Sequence, residues 1–504
     1  VSNRGRGPIG SLQADKHELA VQLRAGNALI TIETRDELRA EQLFRQVLRE
    51  VIRPMYRWTA ASGLERLDME VPVTEETDSP EAVLRHIRDR REAGIFLLMD
   101  FHPYLDNPVH VRLLRELARS GSHDSPSVIM ISPELELPRE IRPLATPFEL
   151  SVPSDEELDY MVREEGEAWS KQNPGQRVKA SRRALNSLIN NLRGLPMKDA
   201  RRLARNAIWN DGALTEKDLP GVMEAKFRLL DPGGVLSFEM ETEQFSSVAG
   251  LQRLKAWLDQ RAPIFAKGEP PPGLDLPRGM LLLGVQGCGK SLAARAVAGV
   301  FGVPLLRLDC GALYNKYHGE SERNLRESLE SAELMAPCVL WLDEIEKGMS
   351  VSTNDGGTSQ RMLGTFLTWM AERKKAVFIV ATANDIEALP PEMVRQGRFD
   401  EIFFVDLPKQ ETREEVLRIH LQRRELDPGQ FDTERLAESA EGFSGAELEQ
   451  AVVSACYGAH AEDRSPTSED ILSAISNTQP LSVVRRESID ELRRWANART
   501  VPAD

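Results

Sequence analysis

Gly284-Val285-Gln286-Gly287-Cys288-Gly289-Lys290-Ser291 follows the apolar run Gly279-Met280-Leu281-Leu282-Leu283 and precedes the helical pattern Leu292-Ala293-Ala294-Arg295-Ala296-Val297. Strand, glycine-rich loop and helix in that order are the context that makes such a loop a phosphate cradle. The glycines let the backbone turn tightly enough for successive N–H groups to point at a di- or triphosphate, and the start of the helix adds its positive end. Lys290 is expected to reach the β- and γ-phosphates and Ser291 to hold Mg²⁺. Cys288 lies inside the loop, either as a small residue that fits or as a thiolate beside Lys290 open to oxidation.

Working outward, Val339-Leu340-Trp341-Leu342-Asp343-Glu344 is a buried-strand run ending in two carboxylates at the sheet edge where the phosphate loop also lies. Asp343 is expected in the Mg²⁺ shell, and Glu344 to orient and deprotonate the attacking water. Phe378-Ile379-Val380-Ala381-Thr382-Ala383-Asn384 is a further apolar strand, whose closing amide could bond the γ-phosphate or the lytic water. Arg395 and Arg398 present two guanidinium groups suited to a phosphoryl transition state. A compact arrangement puts them far from their own loop, so they are expected to serve a neighbouring subunit, which implies a ring.

The chain has 504 residues, a formal charge of −15 and four cysteines without CxxC spacing. The length calls for several domains, and the acidity argues against nucleic acid as the main partner. The cysteines indicate neither a zinc site nor a disulfide framework and point to the cytoplasm. No apolar run is long enough to span a bilayer.

The first half reads as an α/β unit with strands at 28–32, 95–99, 127–131 and 148–152, followed by a helical unit to about Asn210. It looks like a repeat of the second half. Leu97-Leu98-Met99-Asp100-Phe101 stands where Leu340-Trp341-Leu342-Asp343-Glu344 stands, and Gly194-Leu195-Pro196-Met197 where Gly442-Phe443-Ser444-Gly445 stands. The chemistry occurs once. After Leu29 to Ile32 come Glu33-Thr34-Arg35-Asp36-Glu37, with no glycine and three carboxylates that would repel a polyphosphate, and Phe101 replaces the water-activating acid. The first half is therefore expected to scaffold, regulate or bind a partner, without hydrolysis.

From about Phe238 onward these motifs resemble the AAA ATPases, in the clade with a second region of homology, here Ala381 to Asp400. The resemblance implies an α/β fold: a P-loop AAA+ core with a helical lid, preceded by a degenerate AAA-like domain. It makes the cofactors ATP and Mg²⁺. Ala249 and Gly250 resemble the adenine-side entry, and His420, Gly445 and Ala446 the lid's share of the adenosine pocket, with Gly284 to Leu292 around the phosphates. Tyr317 and His318 resemble a pore loop that grips an extended polypeptide. The whole chain resembles AAA proteins encoded by a hypothetical open reading frame of red-algal plastids and cyanobacteria. The implied function is a protein-remodelling motor working as a homo-oligomer, a hexamer in ATP, on a protein client; the alternative is an ATP-dependent assembly switch whose first half binds a partner. The expected divisions are 1–13 disordered or left from cloning, 14–153 degenerate domain, 154–215 helical unit, 216–247 linker, 248–408 core, 409–476 lid and 477–504 tail helix.

Overall fold

The computed structural model describes residues 11–67, 69, 71–72, 77–90, 93–119, 125–215, 217–230, 235–239, 248–265, 270–311, 320–349, 358–386, 388–395, 397–497 and 499–504. The chain divides into two units, Val1–Val222 and Met223–Asp504.

In the first unit the elements run α1 (Ser11–Arg24), β1 (Leu29–Glu33), α2 (Glu37–Val47), β2 (Met55–Thr59), β3 (Gly63–Arg66), β4 (Val71–Pro72), α3 (Pro80–Arg90), β5 (Ile95–Met99), α4 (Pro108–Arg119), β6 (Ser127–Ser132) and β7 (Thr146–Pro147), then α5 (Asp155–Gln172), β8 (Lys179–Ala180), α6 (Arg182–Leu192), α7 (Met197–Trp209) and β9 (Ala213–Leu214). The sheet order is β4-β3-β2-β5-β6-β1-β7, with β2, β5, β6, β1 and β7 parallel and β3 and β4 antiparallel at the edge. Successive residues point to opposite faces. Ile30, Leu97 and Ile129 pack on one side, and Leu29, Phe96, Leu98 and Val128 on the other. Both faces are covered, which is why the central strands read as unbroken apolar runs.

Three expectations for this unit need correction. The strand expected at 148–152 is reduced to Thr146–Pro147, because past the Phe148 N–H bond to Thr31 the backbone turns to side chains: Ser151 N–H donates to Asp15 and Ser151 C=O accepts from Arg39. The β2–β3 hairpin was not anticipated, since Tyr56-Arg57-Trp58 breaks the apolar run with a guanidinium that is paired to Glu41 and Glu65. Helix α1 begins at Ser11, inside the stretch expected to be disordered.

In the second unit the elements are α8 (Leu219–Leu230), which spans the division, β10 (Leu236–Glu239), α9 (Gln252–Phe265), β11 (Gly279–Gly284), α10 (Lys290–Phe301), β12 (Leu305–Leu308), α11 (Glu320–Leu334), β13 (Cys338–Leu342), α12 (Ile345–Met349), α13 (Thr358–Glu372), β14 (Val377–Ala383) and β15 (Glu401–Val405). A helical unit follows: α14 (Gln410–Gln422), α15 (Thr433–Ser439), α16 (Gly445–Ala461) and α17 (Ser468–Ser476), then α18 (Leu481–Val484), α19 (Arg486–Ala496) and β16 (Val501–Pro502). Its sheet runs β10-β12-β13-β14-β11-β15-β16. The inner order β12-β13-β14-β11-β15 repeats β2-β5-β6-β1-β7, so the strands paired by sequence pattern occupy equivalent places.

The region expected to be a linker contributes structure to this sheet. β10 pairs antiparallel with β12, and Phe227 and Leu230 of α8 pack on the sheet core. The tail is more than a helix: β16 adds a parallel strand to β15. Pro502 has no N–H to donate and is tolerated at that edge. The helical unit closes on its own core of Leu417, Leu421, Leu436, Leu448, Val452 and Ile471. Ser444 and Glu447 form a reciprocal capping box at the start of α16.

Candidate functional site

The loop from Gly284 to Gly289 leaves the carboxyl end of β11, between β14 and β15. Two positions require glycine. A Cβ on Gly284 would lie 2.0 Å from the Val405 carbonyl oxygen, and Gly287 has φ 79° with Ser444 Oγ 2.9 Å from a Cβ placed there. Gly287 C=O accepts the Ala446 N–H at 3.0 Å, which ties the loop to the first turn of α16. Lys290 opens α10, and its buried Nζ donates to the carbonyls of Gly284 and Val285, both at 2.8 Å. Burial pushes its ammonium down to about 8. Burial likewise pushes the Cys288 thiol up to about 12, which favours the thiol over the thiolate.

The two acids at the end of β13 are fixed by Thr382. Its hydroxyl donates to Asp343 Oδ1 at 2.7 Å and accepts the Glu344 N–H at 3.1 Å. Asp343 Oδ1 lies 3.4 Å from Ser291 Oγ, and Asp343 Oδ2 lies 3.1 Å from Arg307 Nη2. Glu344 sits at φ 47°, a left-handed conformation that non-glycine residues adopt at a cost and that occurs where a side chain must be aimed. Its Oε1 accepts from Asn384 Nδ2 at 3.2 Å and its Oε2 from Lys347 Nζ at 2.5 Å. The Asn384 N–H is in turn held by Glu346 Oε1 at 3.1 Å. Burial raises the Glu346 carboxyl above the usual carboxylate range.

These groups open onto one cleft of about 1710 Å³, roomier than the roughly 300–1,000 Å³ typical of small-molecule sites. Gln286 to Leu292, Asp343, Glu344 and Asn384 line it together with Ala249, His420, Gly445 and Ala446. Gly250 turns the chain beside it at φ 64°. Burial lowers the His420 imidazole, favouring the neutral ring. Gly284 and Val285 are buried where β11 runs into the loop.

Arg395 and Arg398 are not among the residues lining the cleft. Arg398 precedes β15 and donates to the Leu367 carbonyl at 2.8 Å, while neighbouring Asp400 bonds the N–H groups of Arg278 and Gly279 at the opposite end of β11. The six residues of β11 separate that edge from the loop, roughly 17 Å at the rise of an extended strand. Tyr317 and His318 lie outside the described residues.

Sequence reasoning passed over Thr382, Arg307 and Glu346. Each left a signal: a hydroxyl and a guanidinium standing alone in the apolar strands β14 and β12, and a third acid just after Asp343-Glu344.

In comparison with known proteins, residues 280–407 match the family described as "ATPase family associated with various cellular activities (AAA)" and 430–473 the "AAA+ lid domain". Residues 15–150 and 156–233 match the N-terminal and second domains of "SpoVK-like AAA ATPase". The chain is similar to the uncharacterized AAA domain-containing protein ycf46 of Pyropia yezoensis, 34% identical over 485 residues, covering 95% of this chain and 97% of that one. It is also similar to the ATP-dependent zinc metalloprotease FtsH of Acidothermus cellulolyticus, 33% identical over 264 residues, 50% of this chain and 38% of that protein. The proteasome-activating nucleotidase of Aeropyrum pernix is 36% identical over 214 residues, 41% of this chain and 52% of that one.

Proposed function

Because the chain belongs to the AAA ATPases, we propose that it is a motor that hydrolyses ATP between the subunits of a ring, a hexamer, and uses the cycle to remodel, unfold or thread a protein client. The observation that carries this reading is the convergence on one cleft of the phosphate loop, two acids bridged by Thr382, and an amide bonded to the second acid.

Lys290 binds the β- and γ-phosphates, leaving its two loop carbonyls. Glu344 is the general base for water. Its contact with Asn384 aims the carboxylate before substrate arrives, and proton transfer to a positioned base typically contributes about 10²–10⁴ in rate. Asn384 is well placed to bond the γ-phosphate as well. His420, Ala249, Gly445 and Ala446 form the adenosine side, with Gly250 as its hinge.

The Mg²⁺ fit rests on the donor set. Ser291 Oγ and Asp343 Oδ1 are a hydroxyl and a carboxylate oxygen 3.4 Å apart, hard ligands that suit an ion completing its shell with water and phosphate. No group of three or more His, Cys, Asp or Glu side chains among the described residues could cage a metal by itself, in keeping with an ion that arrives with nucleotide. When bound, it neutralises charge on the phosphate oxygens.

Arg395 and Arg398 act on the next subunit's phosphates, a role supported by their place at the far edge of their own sheet. A protein client is supported by the relatives named as a protease and a proteasome-activating nucleotidase, and Tyr317 and His318 would grip it. The compartment proposed is the cytoplasm, supported by cysteines that are all free. No helix among the described residues is long and apolar enough to cross a membrane.

The test is mass in solution of Glu344→Gln with and without Mg·ATP, beside turnover of the parent. A rise to about six subunits with parental turnover is expected; a persistent monomer would leave the arginines without a neighbour to serve. Tyr317→Ala separates motor from switch: a motor loses client-stimulated turnover and keeps the basal rate.

A further inference from the structure

The match to the lid family ends at residue 473, but the wall of the cleft continues beyond it. Val483, Arg486, Arg493, Arg494, Asn497 and Thr500 line the same space as the phosphate loop. Arg486 and Arg494 add two guanidinium groups to that lining, which suit a polyphosphate ligand.

This segment is fastened on both sides of the cleft. At its start, Leu481 N–H donates to Glu447 Oε1 at 2.7 Å, joining it to the cap of α16. At its end, β16 pairs with β15, and Ala503 N–H donates to the Phe404 carbonyl at 2.9 Å. The Ala503 carbonyl and Asp504 Oδ1 take the opening N–H groups of α9, from Arg253 and Leu254 and from Gln252. That helix follows directly on Val248 to Leu251, the expected adenine-side segment. Between the two fastenings, Arg493 forks onto Asp406: Nε lies 3.0 and 2.9 Å from the two carboxylate oxygens, and Nη2 lies 2.8 Å from Oδ1.

We propose that Leu481–Asp504 is a strap belonging to the nucleotide site, which walls the cleft and sets how fast a bound nucleoside triphosphate leaves. This rests on the nucleotide reading of the cleft. On the core side the strap is held by two contacts of different strength. Ile489, Leu492, Ala496 and Ala503 are buried, which makes the core end a firm anchor. The Arg493–Asp406 pair is exposed by 42% and 41%, and an exposed pair is readily broken and remade. It is the latch that closes the strap onto the end of β15 beside the cleft, and opening it loosens that wall while β16 keeps its place.

The test uses the full chain, N-methylanthraniloyl-ATP with Mg²⁺, and a chase of unlabelled ATP. Arg493→Asp sets two carboxylates against each other, and release is expected to quicken by about fivefold; the swap Asp406→Arg with Arg493→Asp should bring it back toward the parent. If the reversal unfolds the edge, Arg493→Gln removes the charge without reversing it and should show the same direction. Normal uptake with unaltered release overturns the strap, and so does a quickening that the swap fails to reverse. A parent that takes up no labelled nucleotide, or uptake indifferent to Lys290→Ala, overturns the reading of the cleft, and the strap falls with it.

Discussion

The loop that leaves β1 and the loop that leaves β11 stand at the same place in the same strand order, one built from carboxylates and the other from glycines. Both start a helix and tie it to the helical unit that follows. In the first unit Asp36 does this with its side chain, capping α2 through the Arg39 N–H at 3.1 Å and taking the Met197 N–H of α7 at 2.8 Å. In the second the backbone does it, through Gly287 C=O and the Ala446 N–H. Helix α2 then opens with Glu37 where α10 opens with Lys290. The strand ends diverge in the same way: Glu344 faces a cleft, whereas Phe101 is fully buried, with ring centroids 5.4 Å from Trp58 and 5.7 Å from Tyr104. The same strand order stands without the glycine-rich loop where side-chain caps and apolar packing occupy the corresponding places.

That contrast can be broken most directly at the acids. Glu344→Gln is expected to lower ATP turnover by at least about a hundredfold, while Glu37→Ala leaves it within about twofold; a matching loss in the first unit, read by phosphate release, would end the distinction. Next in size, Phe101→Glu should not create activity and should destabilise the first unit by about 3 kcal/mol or more in denaturant unfolding, because it buries a carboxylate among aromatic rings. Asp36→Ala removes a cap shared by two helices and should cost about 1–2 kcal/mol in the same measurement, with turnover preserved.

The smallest effect is one of pH. Lys290 titrates near 8 against an ordinary 10.5, so without nucleotide the unfolded chain binds more protons between those values and stability rises with pH across that window. Phosphate favours the charged lysine, so nucleotide affinity should be level below about pH 8 and weaken above it by at most about tenfold per unit. Titration calorimetry in buffers of different ionisation enthalpy would show the proton uptake, and Lys290→Arg should abolish the bend.

Elements whose signal is local were legible. The strand–loop–helix at 279–301, the acids after Trp341-Leu342 and the amide at Asn384 sit within single motifs, and the structure lines one cleft with them. The absence of glycine and the three carboxylates at the corresponding place in the first half were readable from Glu33 to Glu37 for the same reason. The edges of both sheets were not, since β10 and β16 are short segments that become strands only by pairing with β12 and β15.

By itself the sequence determined the family, the presence of one glycine-rich loop in two related halves, and the residues that share a cleft with it, because backbone turns, helix starts and apolar runs act over a few neighbours. The tertiary structure alone decided that Thr382 bridges acids 39 and 38 residues upstream, that Arg307 reaches Asp343 across 36, and that Arg493 meets Asp406 across 87. Those partners are chosen by strand order and by which ends of the strands share an edge, and no local preference of the chain encodes that choice.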